Sequence, residues 1–240
     1  MTIKEHLEKY SVAGAIIVAG LLIAGAVLFT NQGADNGKLL GNIQPGDEVP
    51  ESNQPATDAY KNVKPVTNED HILGNKDAKI KIVNFSDMEC PYCITFDATM
   101  KKVVADYNGD VAWVYRQSPL DFHQNARPAA EASECAAEIG GNDKFWAFLE
   151  KAIEKIQEAS GEVNMTDIAV SAGVDKTAFE NCYGKGKFDS KIADHIADSL
   201  ASGLEGTPYS VVVVDGAPVT TINGAYPIED VKNIVNQYLK

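Results

Sequence analysis

Apolar and polar positions alternate in three different ways along this chain. From Ser11 to Phe29 the run SVAGAIIVAGLLIAGAVLF carries no charge and no polar face, so it does not read as a helix of a soluble core. As a helix it rises roughly 28 Å, close to the hydrocarbon thickness of a bilayer. A cleaved leader has a shorter apolar core, and cutting at Ala24-Gly25-Ala26 would leave apolar residues behind. The expectation is an uncleaved anchor over residues 1–30. Lys4 and Lys9 precede the run and only Lys38 follows it closely, which predicts a cytoplasmic N-terminus with the rest of the chain outside.

The next stretch, NQGADNGKLLGNIQPGDEVPESNQPATDAY, is rich in Gly, Pro, Asn and acid. With so little apolar surface to bury it predicts a flexible stalk over residues 31–62. A domain over residues 63–240 follows. KIKIVNFSD, Lys79 to Asp87, is rich in β-branched residues and predicts a buried strand that stops just before Cys90. Pro91 suits the first turn of a helix, and that helix runs to about Tyr107, where Asn108-Gly109 ends it. VAWVYRQ, Val111 to Gln117, is a second strand, giving a parallel βαβ unit.

Helical patterns then continue to about residue 204. ARPAAEASECAAEIGG is expected to stop at Gly140-Gly141, and NDKFWAFLEKAIEKIQ to start from Asn142 or Asp143 as an N-cap. MTDIAVSAG, DKTAFENCYG and SKIADHIADSLASGL predict three more helices. TPYSVVVVDG and VTTING return to strand. PIEDVKNIVNQYLK closes the chain as an amphipathic helix with Ile228, Val231, Ile234 and Leu239 inward. The fold class is α/β, ordered βαβ, then a helical insert over about 122–204, then ββα.

The net charge of -13 and the lack of any Lys/Arg-rich run argue against nucleic acid as a partner. No phosphate loop, G-x-G-x-x-G or G-x-S-x-G motif is present, so no cofactor is expected. His71 and His195 have no metal-ligand partner at useful spacing, and Trp146 with its aromatic neighbours reads as core. The chemistry rests on the cysteines. Cys90-Pro91-Tyr92-Cys93 is a redox pair, half of a zinc site, or two inert thiols. At a helix N-terminus the free N–H groups stabilise a thiolate, and a second cysteine one turn on can resolve a mixed disulfide. Zinc would need a second close ligand pair, which Cys135 and Cys182 do not supply in sequence, and no metal site is expected.

The CPYC after a strand, the Gly206-Thr207-Pro208 before the next strand, and the insert run HQNARPAAEASECAAEIGGNDKFWAF resemble the thioredoxin fold in its DsbA-like form, as in membrane-anchored bacterial proteins. The resemblance spans about Val63 to Lys240. It implies a thiol–disulfide oxidoreductase, with Cys90 attacking and Cys93 resolving. It also implies a cis bond at Thr207–Pro208, where Thr207 would pair a substrate strand. A disulfide between Cys135 and Cys182 is implied too, as a staple. Implied partners are reduced exported proteins and a membrane redox partner.

The chain departs from the family pattern at two points. Asn84 stands where relatives carry a buried acid, leaving water, Glu89 or Asp87 to handle the proton. Tyr92 stands where strongly oxidising relatives have histidine, and Glu89 lies beside Cys90. The two together predict a less stabilised thiolate. His123 matches a position that is often histidine, with capping or packing as its expected role. The same site could instead run as a reductase or isomerase, or the domain could be a redox-silent peptide- or metal-binding module.

Overall fold

The computed structural model describes residues 58–239. The anchor expected over 1–30 and nearly all of the stalk expected over 31–62 lie outside the described residues. Among the described residues no helix is long and apolar enough to cross a membrane.

Five strands form one sheet in the order β1-β3-β2-β4-β5. They are β1 (His71–Leu73), β2 (Ile80–Ser86), β3 (Val111–Gln117), β4 (Tyr209–Val214) and β5 (Ala217–Asn223). β2 and β3 run parallel, joined through helix α1 (Pro91–Asp106). The remaining pairings, β1 with β3, β2 with β4 and β4 with β5, are antiparallel. This is the βαβ–ββα frame read from the pattern, with β2 at its centre. The expected turn after α1 is present: Asn108 (φ 48°) and Gly109 (φ 98°) take left-handed backbone, which Asn and Gly adopt at low cost.

Period-two alternation sends the strands' side chains to two cores. Ile80 and Ile82 of β2, Trp113 and Tyr115 of β3, and Val212 of β4 pack against Phe96, Met100 and Val103 of α1 and against the insert. Val83, Phe85, Val114, Val211 and Val213 face the other way, beneath Val63, Tyr60 and Leu204. Tyr60 belongs to a short 3-10 turn, Ala59–Asn62, and Asn62 Nδ2 donates to the Ala201 carbonyl at 3.0 Å. Ordered chain therefore begins before Val63.

The insert comprises α2 (Ala126–Glu158), α3 (Met165–Ser171), α4 (Lys176–Cys182) and α5 (Asp189–Ala201). The two helices expected on either side of Gly140-Gly141 make up α2, which kinks where the stop was expected, at Gly141 (φ 75°, ψ -169°). Asn142 does not cap the second half. Its Oδ1 accepts from Ile72 N–H (3.1 Å) and Trp146 Nε1–H (3.2 Å), while its Nδ2 donates to the Ile72 carbonyl (2.8 Å). The side chain thus pairs with the open edge of β1, a three-residue strand too short for the sequence pattern to reveal. The last helix, α6 (Ile228–Asn236), buries Val231 as expected, and also Val235, while Ile228, Ile234 and Leu239 are half-buried.

Two features staple these parts together. Cys135 of α2 and Cys182 of α4 are joined by a disulfide. Buried Arg116 of β3 donates to both Asp70 oxygens (2.8 and 3.0 Å), to Asp198 Oδ2 of α5 (2.6 Å), and to the carbonyls of Lys64 and Pro65. The N-terminal segment, the sheet and the insert meet at that guanidinium.

Replacing both Cys135 and Cys182 by Ala should lower unfolding free energy by about 4 kcal/mol, the chain-entropy value for a loop of this length. Denaturant titration under oxidising conditions measures it, and a loss under about 1 kcal/mol would contradict a stapling role. Arg116→Met, which leaves Asp70 and Asp198 buried without their cation, should cost about 3–5 kcal/mol. A melt unchanged from that of the parent protein would show the network to be dispensable.

Candidate active site

β2 ends at Ser86, and four residues later the chain enters α1 with Cys90 as N-cap (φ -72°, ψ 120°) and Pro91 in the first turn. The intervening loop is set by Asp87. Its Oδ1 accepts from Glu89 N–H (2.8 Å), and its carbonyl accepts from Cys90 N–H (3.2 Å). Its Oδ2 accepts from Leu120 N–H (2.8 Å) and lies 2.8 Å from His123 Nδ1. Its own N–H donates to Cys93 Sγ at 3.4 Å. A buried carboxylate with that many donors is a positioning device. His123, expected to cap or pack, does so by pairing with Asp87.

Both thiols are free, and both are buried, but to different degrees. Cys90 keeps 4% of its surface exposed and Cys93 none. Hydrogen bonding from the Cys93 thiol is the largest influence on Cys90 and lowers its pKa. Burial opposes it, and the Cys93 and Tyr92 backbone N–H groups lower it further, to about 5. Burial, and then the neighbouring Cys90 sulfur, drive Cys93 strongly the other way. The pair therefore holds one proton, on Cys93, with a nucleophilic sulfur at Cys90.

Opposite Cys90 lies the loop before β4. Thr207–Pro208 is a cis peptide, and the Thr207 carbonyl stands 3.6 Å from Cys90 Sγ. When Cys90 is protonated its S–H donates there. When it ionises that carbonyl repels it, and the donors from Cys93 and Tyr92 prevail. The Pro208 carbonyl accepts from Gly224 N–H at 2.9 Å, tying the loop to the end of β5. Tyr92, 69% exposed, sits between the cysteines, and Phe122, 80% exposed, stacks edge-on against His123.

The structure thus brings Cys90, Pro91, Tyr92, Cys93, Thr207 and Pro208 together. It does not bring Glu89 to the sulfurs. The Glu89 carboxylate accepts from the backbone N–H and side-chain amide of Asn125, the N-cap of α2. The expectation that Glu89 handles a proton or weakens the thiolate is corrected: Asn125, remote in sequence, takes that carboxylate. Asn84 is fully buried in β2 and donates to Ser210 Oγ at 3.0 Å. Cys135 and Cys182, being bonded to each other, are no ligand pair, and among the described residues no three potential metal ligands cluster. His71 pairs instead with Glu134 (2.9 Å), and His195 Nδ1 accepts from Gln117 N–H (3.1 Å). One buried group escaped the sequence reading: Asp97, on α1 four residues after Cys93 and 3% exposed. The signal was there, a carboxylate on the helix face that carries Phe96 and Met100.

Comparison with known proteins agrees with this geometry. A family described as thioredoxin matches residues 66–237. The crystal structure of Pseudomonas aeruginosa DsbA2 superposes with a TM-score of 0.60 at 26% identity, covering 72% of this chain and 96% of that one. Wolbachia pipientis alpha-DsbA1 superposes at 0.63 with 19% identity, covering 75% and 95%. A Na(+)/H(+) antiporter, NhaA 3 of Salinispora tropica, is 30% identical over 140 residues, 58% of this chain but only 21% of the antiporter's length. What that protein shares with this chain is a stretch of domain size. With most of its length matched by the family and its fold matched by DsbA proteins, the chain belongs to the thioredoxin family, in the DsbA-like form with a helical insert.

Proposed function

We propose that this protein is a membrane-anchored thiol–disulfide oxidoreductase that forms disulfides in exported proteins. The observation that carries the reading is the unequal pair: Cys90 at the N-terminus of α1, facing the cis Thr207–Pro208 loop, with Cys93 fully buried one helical turn on.

In the oxidised protein a substrate thiolate attacks Cys90 Sγ. The Cys90–Cys93 bond breaks as the mixed disulfide forms, and Cys93 leaves as a thiol after taking a proton. A second substrate thiolate attacks the substrate sulfur of the mixed disulfide, a substrate disulfide forms, and Cys90 departs as a thiolate. The Thr207 backbone beside Cys90 aligns the substrate as an added strand, and exposed Tyr92 and Phe122 offer apolar contact to unfolded chain. A membrane redox partner then accepts the two electrons from the reduced pair.

The low Cys90 pKa supports the oxidising direction. Between about 5 and the ordinary thiol value of 9.0 the folded reduced protein holds a thiolate where a free thiol would be protonated. That stabilisation favours the reduced form; it is complete above the ordinary value and is lost as pH falls through about 5. A protein whose reduced form is stabilised gives up its disulfide readily. The direction in which partners drive the pair decides between oxidase and reductase or isomerase.

Location is part of the same proposal: one span at Ser11–Phe29, a cytoplasmic N-terminus and an extracytoplasmic domain. The uncharged run supports it, and so does the Cys135–Cys182 disulfide, a bond that persists mainly in oxidising compartments.

Iodoacetamide alkylation of the reduced full chain should reach its plateau rate above an inflection near pH 5. Cys90→Ser should abolish that reaction, and Cys93→Ser should accumulate a mixed disulfide with a thiol substrate. An inflection in the ordinary thiol range would remove the basis for the proposed asymmetry. Equilibration of the full chain, in mild detergent, with glutathione buffers should give a reduction potential of about -180 mV or higher. A value near roughly -270 mV would assign the same site to reduction, and a pair that never exchanges with glutathione would end the redox reading.

A further inference from the structure

We propose that Asp97 is the group that exchanges a proton with Cys93 during disulfide exchange; the inference rests on the thiol-exchange reading above. The two residues are four apart on α1, so they share a helix face with about 5–6 Å between their Cβ atoms. Asp97 is buried, and its Oδ1 has no hydrogen-bond partner among the described residues. Four more buried oxygens lack partners among those residues: Thr207 Oγ1 in the loop before β4, and Asn84 Oδ1, Ser86 Oγ and Tyr115 OH on the sheet. Asn84 and Ser86 alternate with Val83 and Phe85, so they face the same side as Ile80 and Ile82, toward α1. Tyr115 stands opposite Asn84 in the β2–β3 register. An otherwise apolar wall between helix and sheet thus has a polar patch about one helical turn from the resolving cysteine.

Each such group, left unpaired in a dry interior, forfeits its hydration without return and destabilises the fold. A phenylalanine or leucine at position 97 would avoid the cost, so packing alone does not account for the carboxyl. The other candidates near Cys93 are disqualified by their contacts. The Asp87 carboxylate is saturated by Glu89, Leu120 and His123. Glu89 is bound to Asn125. The Asn84 amide cannot carry a proton at neutral pH.

Burial pushes the Asp97 carboxyl well above the usual carboxylate range; Lys101 opposes this, and the Cys90 charge adds to it. These groups belong to α1, Lys101 being paired in turn with Glu150. From β2 Asp97 meets Ser86, and from β3 the hydroxyl of Tyr115, whose own ionisation burial opposes. Asp97 therefore starts protonated. When a substrate thiolate attacks Cys90 Sγ, the electron pair of the breaking S–S bond goes to Cys93 Sγ. The Asp97 carboxyl gives that sulfur its proton and becomes a carboxylate. In the reverse step the carboxylate takes the proton back, the Cys93 thiolate attacks Cys90 Sγ, and the substrate sulfur leaves as a thiolate.

Because Asp97 acts on a sulfur, its test reads proton dependence rather than stability. The reduced full chain is mixed with oxidised glutathione, and the Cys90–glutathione mixed disulfide is followed by acid quench and mass. In Asp97→Asn this species should persist about tenfold longer or more near neutral pH, with the gap closing at alkaline pH, and Asp97→Glu should recover part of the rate. Resolution at the parent rate with the parent pH profile would overturn the inference. If Asp97→Asn does not fold, carbon NMR of the unmodified protein decides. The inference expects the Asp97 carboxyl to be protonated at pH 7 when the pair is oxidised, with a different titration midpoint when it is reduced. Titration in the ordinary aspartate range in both states would overturn it. A parent protein that forms no mixed disulfide at all would refute the exchange reading and this inference together.

Discussion

The turn that carries the two cysteines is registered by one buried residue, Asp87. Asp87 holds the loop between β2 and α1 through Glu89 N–H and Cys90 N–H, holds the start of the insert through Leu120 N–H and His123, and reaches Cys93 Sγ through its own N–H. A side chain at the end of the central strand thereby sets where α1 begins and how the insert approaches it. The Cys90 sulfur needs the N–H groups of that first turn, and it meets them only if the helix starts where Asp87 places it.

The sheet supplies the second constraint. β2 is paired on both sides, parallel to β3 and antiparallel to β4. The ends of β2 and β4 lie opposite each other, with Phe85 facing Tyr209. That register brings the loop after β2 next to the loop before β4, and so brings Cys90 to Thr207 across 117 residues of sequence. The helical insert occupies most of that interval, yet it is tethered at both ends. Glu89 and Asn125 fix its entry, and Arg116 with Asp198 fixes its exit. The cysteine pair thus sits in a frame tethered on both sides, while the rings of Tyr92 and Phe122 stay exposed.

Two kinds of buried charge are used differently. The Arg116 cluster and the His71–Glu134–Lys191 group are saturated with hydrogen bonds, which is how buried ions become tolerable. Asp97 is not saturated. A satisfied network explains itself as structure; an unsatisfied carboxyl one turn from a reactive sulfur calls for chemistry.

The sequence alone was enough for the order of elements from β2 onward, for Cys90 at a helix start and for the inward strands, because each depends on local period and turn chemistry. Pro91, Asn108-Gly109 and the valine run of β4 act within a few residues of themselves. Tertiary structure decided what distant groups impose. β1 was too short to show a period, and its edge selected Asn142 as a pairing partner in place of a cap. Glu89 read as a neighbour of Cys90, but the backbone of Asn125 drew its carboxylate away. Asp97 read as one polar residue among many on a helix, and only the packing of α1 against β2 and β3 made it a buried acid one turn from Cys93. Proximity in sequence predicts the backbone; which charges share a low-dielectric space is settled by elements that meet only in the fold.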